Sequence, residues 1–70
     1  MNFVSTVGED LKLNVSGSNY DAVDADFSDL SIATAHITGA GNDCIDLSSG
    51  TYILSKVTLL RCDDKGISAG

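Results

Sequence analysis

Asp21 and Asp24 in "NYDAVD" recur as Asp43 and Asp46 in "GNDCID", two Asp-x-x-Asp pairs at one spacing. Paired carboxylates serve three kinds of chemistry. Held at different pKa values, they form the acid and the base of a hydrolytic site. Together with backbone oxygens they can ring a hard cation such as calcium, which takes about six to eight oxygen ligands. At chain corners, an Asp accepts hydrogen bonds from nearby backbone N–H groups. The spacing favours the third role for Asp21 and Asp43. Lys65, at the same spacing again, is expected to relieve the repulsion between them. Asp24, Asp46 and Lys65 are the candidate ligand-binding residues. No complete cation loop accompanies them, so neither a metal nor another cofactor is expected.

The other chemistry-bearing residues are few. One His and two Cys fit no zinc spacing. His36 lies between the apolar Ala35 and Ile37 and is expected to face solvent. Tyr20 and Tyr52 offer aromatic faces on which a sugar ring could stack. Tyr52 aligns with Leu30 in the repeat described next, which favours a core role for it. The net charge is -6, with four basic residues, Lys12, Lys56, Arg61 and Lys65. Nucleic-acid binding needs a cationic footprint, and docking on anionic membranes needs the same, so neither partner is expected. No apolar run is long enough to span a bilayer, and "MNFVSTVGED" lacks the basic start and apolar stretch of a secretory signal.

A repeat positions the acids. Shifted by 22 residues, the sequence sets ten apolar pairs in phase among the 28 positions aligned from residue 21 onward, where composition alone gives about five. Ala22 meets Cys44, Leu30 meets Tyr52, Ile32 meets Leu54, Ala35 meets Val57, Ile37 meets Leu59 and Ala40 meets Cys62. Val23 meets Ile45 and then Ile67, and Ala25 meets Leu47 and then Ala69. "SIATAHI" and "YILSKVTLL" are rich in β-branched and aliphatic residues, and they alternate in places with the period of two that marks a strand. Glycines punctuate them, and sustained helical spacing is missing.

The expected architecture is all-β: a short right-handed parallel β-helix of about three coils of 22 residues. It forms one domain, residues 1–70, with 1–20 as an irregular first coil or cap, 21–42 and 43–64 as full coils, and 65–70 opening an incomplete one. Cys44 and Cys62 then read as small buried stack residues, with a disulfide across a corner as the alternative.

At this point the residues resemble a known family. "GNDCIDLSSGTYILSKVTLLRCDDKGISAG" is similar to two consecutive coils of right-handed parallel β-helix proteins. "NYDAVD", "GNDCID" and "DKGIS" are similar in phase to the active-site coils of polygalacturonase-like glycoside hydrolases. The resemblance implies that Asp21 and Asp43 match the water-activating carboxylates. It also places the general acid on Asn42, whose amide cannot donate a proton at neutral pH, and the family's His on Lys65. Hydrolysis is therefore not expected.

The chain stops at "KGISAG", in mid-coil and without a cap. A small solenoid with a bare end needs a partner or a staple. The expectation is a non-catalytic structural or interaction module, a homo-oligomer (a dimer) joined through its C-terminal end at Ile67, Ala69, Ile45 and Leu47. The alternative is a carbohydrate-binding or degenerate polysaccharide-processing module.

Overall fold

The computed structural model describes all 70 residues. It consists of strands without a helix: β1 (Asn2–Val4), β2 (Val7–Ser18), β3 (Val23–Ala40), β4 (Ile45–Cys62) and β5 (Ile67–Ala69). Every pairing is parallel. β1 and β2 lie along one edge of β3, β4 lies along its other edge, and β5 covers the start of β4. The register between β3 and β4 is the 22-residue shift throughout, from Val23↔Ile45 to Ala40↔Cys62. Like residues therefore stack on like, and the chain forms a β-solenoid of about three turns.

Each long strand wraps around the molecule. A straight strand of 18 residues would be about 60 Å long, whereas the longest extent is 27 Å. The β3–β4 ladder skips Phe27/Ser49, Ala33/Ser55 and Gly39/Arg61. Two of these breaks are left-handed corners that recur in every coil. Ser5, Phe27 and Ser49 have φ of 49, 52 and 41°, and Gly17, Gly39 and Arg61 have φ of 69, 94 and 56°. A side chain in this region costs about 1–2 kcal/mol. The second series meets the demand with two glycines, whereas the first uses none and relies on the ladder to hold it.

Alternation drives the core inward. Val23, Ala25, Ile32, Ile37 and Ile45 are wholly buried, with Leu30, Ala35 and Ala40 at 2% exposure. Phe3, Leu11, Val15, Tyr52, Leu54, Val57 and Leu59 pack around them, half-buried. The first coil keeps the register, with Leu13↔Ala35 and Val15↔Ile37, except between Gly8 and Lys12, where the register shifts on each side of the Leu11↔Ile32 pair.

Two expectations need correction. Cys44 and Cys62 are joined in a disulfide, with Cα atoms 5.3 Å apart, and are not separate stack residues. β4 makes nearly a full circuit, which brings its two ends together. Closing a loop of this size removes about 3 kcal/mol of unfolded-chain entropy. Ile45 and Leu47, expected at an oligomer contact, lie under β5 at 0% and 6% exposure, while Ile67 above them is 45% exposed.

Candidate functional site

The Asp corner lies where each coil steps up to the next. Its turn backbone is bonded from coil to coil. The Gly41 N–H donates to the Ser18 carbonyl, that of Asp63 to Ala40, and that of Asp64 to Asn42. Approach here is so close that a Cβ on Gly41 would collide with the Asn19 carbonyl.

Within this frame Asp21 and Asp43 perform one task twice. The Asp43 N–H donates to Asp21 Oδ1 at 2.9 Å, and the Lys65 N–H donates to Asp43 Oδ1 at 3.0 Å. Each carboxylate caps the backbone of the same position one coil further on, as the Asp-corner reading expects. Asp43 is 6% exposed, and no buried side-chain oxygen or nitrogen lacks a partner. Asp29 repeats the device on another face, its Oδ1 accepting the Thr51 N–H at 3.2 Å.

Lys65 departs from expectation. Its ammonium turns outward to Asp64 Oδ2 at 3.4 Å, in an exposed pair, which is worth little in water. What balances the charge on Asp43 is the Lys65 backbone N–H. Lys65 thus separates from the other two candidate ligand-binding residues, while Asp24 and Asp46 are joined by Asp21.

The oxygens of Asp21, Asp24 and Asp46 lie within 4.8 Å of one another, half-buried. Partial burial pushes the Asp24 pKa up, the charges of Asp26 and Asp21 add to the rise, and the N-terminal ammonium opposes it. Burial likewise raises Asp46, helped by the charge of Asp21 and a hydrogen bond to it, and by the charges of Asp24 and Asp43. Such a group favours a shared proton, and it attracts hard cations. Three carboxylates fall short of a full oxygen shell.

Beside this cluster is an open depression of about 460 Å³, lined by Met1, Asn2, Ser18, Tyr20, Asp21, Asp24 and Asn42. The Met1 ammonium donates to the Ala22 carbonyl at 2.9 Å. Tyr20 is 81% exposed on the rim. His36 is exposed, as its alternation predicts.

Tyr52 has a role that its alignment with Leu30 did not suggest. In the first coil the Thr6 hydroxyl donates to the Val4 carbonyl, and in the second the Ser28 hydroxyl donates to that of Asp26. Position 50 is glycine, because a Cβ there would collide with the Ser28 backbone. The Tyr52 phenol takes over, donating to the equivalent Ser48 carbonyl at 2.9 Å and accepting the Ser28 N–H at 3.4 Å. The signal was available in the column Thr6, Ser28, Gly50, which loses its hydroxyl in the coil that gains a Tyr.

No protein-family model, no curated protein and no solved structure matches this chain. The likeness to polygalacturonase-like hydrolases rests on the quoted residues alone, while the parallel β-solenoid rests on register and burial.

Proposed function

We propose that this chain is a non-catalytic structural or interaction module that assembles end to end with a second copy through its C-terminal coil. One observation carries the reading. Leu30, Ile32, Ala35 and Ile37, covered by a coil on each side, are 2%, 0%, 2% and 0% exposed. Their counterparts Tyr52, Leu54, Val57 and Leu59 are all only half-buried, and β5 pairs with no residue of β4 beyond Leu47. The rest of that strand presents free backbone groups beside a slice of apolar core, the kind of edge that recruits another strand. A second copy suits it because this surface is what β3 already offers to β4: aliphatic columns at the same spacing, flanked by hydrogen-bonding backbone. Two-fold pairing of C-terminal ends closes the assembly.

The non-catalytic part is supported by the Asp corner. Asp21 and Asp43, which the resemblance would make water-activating, are engaged with backbone N–H groups. Asn42 stands where the acid would be. Light scattering coupled to size exclusion tests the assembly: a dimer is expected, and Leu54→Glu with Leu59→Glu should yield a folded monomer. A wild-type monomer at every concentration sinks the reading.

The exposed Tyr20 over a depression lined by Asn2, Ser18 and Asn42 favours carbohydrate binding as a second reading. Calorimetry with pectin fragments and soluble β-glycans tests it, and absence of heat with every ligand counts against it. A reducing-sugar assay on polygalacturonate, with Asp43→Asn as control, tests for residual hydrolysis.

A further inference from the structure

We propose that the Cys44–Cys62 disulfide is a redox-operated clasp on the third coil, which a dithiol reductant opens to free Ile53–Cys62 while the first two coils stay folded. The placement of the bond carries this. It joins the residue just before β4 to the strand's last residue, so it closes one circuit and does not bolt one coil to another.

In the second coil the same two phases hold Ala22 and Ala40, at 0% and 2% exposure. That circuit is held without a covalent bond, because β1 and β2 pair with one side of β3 and β4 pairs with the other. The third coil lacks this support. Beyond Leu47 it is paired on one side only, and no residue after Leu47 is buried. The staple thus stands in the coil with the fewest non-covalent restraints, where local opening costs least. Opening would uncover the columns of Leu30, Ile32, Ala35 and Ile37 on β3.

The bond is approachable from one end. Cys44 is fully buried, whereas Cys62 is half-buried. A thiolate of the dithiol attacks Cys62 Sγ, the S–S bond breaks, and Cys44 leaves as a thiolate that takes up a proton. The second thiolate of the dithiol then displaces Cys62 and closes its own disulfide. Two electrons pass to the protein and the dithiol is oxidised. In an oxidising compartment the clasp stays shut. This inference is drawn for the single protomer, since end-to-end assembly would cover the free edge of β4.

The chain carries its own internal control. Lys12 and Lys56 occupy the same phase, through Thr34, in the first and third coils. The double variant Cys44→Ala, Cys62→Ala copies the alanine pair of the second coil. Compared with wild type, trypsin should cut it after Lys56 and Arg61 about tenfold faster or more, with cleavage after Lys12 unchanged. Hydrogen exchange on wild type in a phosphine reductant gives a second measurement that needs no variant. Exchange should rise across Ile53–Cys62 and stay constant across Leu11–Val15 and Ile32–Ile37. Equal acceleration in all coils would mean global loosening and overturn the clasp, as would no acceleration anywhere. If the variant does not fold, the exchange pattern of the reduced wild type decides between these outcomes.

Discussion

The first and last coils face the same problem and meet it differently. Each ends the solenoid, and each has a row of inward aliphatic residues with a neighbour on one side only. The first coil breaks register between Gly8 and Lys12, with Asp10 at φ 57° and no counterpart in the other coils. Leu11 folds back over Gly8, so that a Cβ on that glycine would lie 3.0 Å from Leu11 Cδ1. Leu13 reaches 8% exposure although nothing stacks beyond it. The third coil has no such irregularity. Its register is unbroken, its Val57 (the counterpart of Leu13) stays half-exposed, and it carries the disulfide. A bulge twists an edge away from pairing and lets the chain cover its own core. A regular coil keeps its edge competent to pair and needs some other restraint.

The sharpest way to break this comparison is one substitution made twice in one column. Ile45 is wholly buried between Val23 and Ile67, while Ile67 is 45% exposed at the open end. Ile45→Asp places an unpaired charge in the core and should cost about 4 kcal/mol or more, enough to unfold a domain of this size. Ile67→Asp should change stability by no more than about 0.5–1 kcal/mol while weakening self-association. Thermal melts followed by circular dichroism check both. If the two variants melt alike, the stacking register is wrong.

A smaller effect separates the second coil from the third. Ser28 is 1% exposed and links the Thr6 N–H to the Asp26 carbonyl. Ser28→Ala leaves the Thr6 N–H without a partner, while the Asp26 carbonyl keeps the Ser5 N–H, and should cost about 2 kcal/mol. Tyr52→Phe removes the substitute hydroxyl at a half-buried position where water can enter, and should cost about 1 kcal/mol. Urea midpoints measure the difference. Equal costs would show that the third coil is as closed as the second.

The solenoid was legible in the sequence because column formation leaves a mark on composition. Val23, Ile45 and Ile67 must all be apolar if they touch, and the 22-residue shift follows from such constraints. The αL corners at Ser5, Phe27 and Ser49 left no mark, since that series contains no glycine. The disulfide is only the alternative that the sequence offers for Cys44 and Cys62. A spacing of 18 says little in linear sequence, and only the circuit shows that positions 44 and 62 meet. The small residues Ala22 and Ala40 at the same phases were the clue, because they mark where two stretches of backbone approach closely. In the candidate site, the spacing marks the Asp ladder as corner chemistry, but it does not show that the Lys65 ammonium turns to Asp64. Side-chain direction at a solvated corner is set by a contest too even for sequence to decide. The grouping of Asp21 with Asp24 and Asp46 depends on how the corner folds across two coils.

That grouping supports the last prediction, since it strains the junction of the second and third coils at neutral pH. Asp24 and Asp46 have their pKa values raised, first by burial and then by neighbouring carboxylates. A carboxylate whose folded pKa exceeds its unfolded value binds protons more tightly when folded, so unfolding releases protons and acid favours the folded state. The penalty is present in full above the raised folded values. It fades as the pH falls through them and is gone below the ordinary carboxylate value. With the disulfide intact, the urea midpoint should therefore rise as the pH falls from neutral toward the ordinary carboxylate value. Asp46→Asn removes one charge from the group, so it should raise the midpoint at pH 7 and flatten the rise. Added salt should act in the same direction by screening the three carboxylates. The opposite slope, a midpoint that falls steadily on acidification, would mean that the cluster is dispersed in solution and that the corner is held by Asp21 and Asp43 alone.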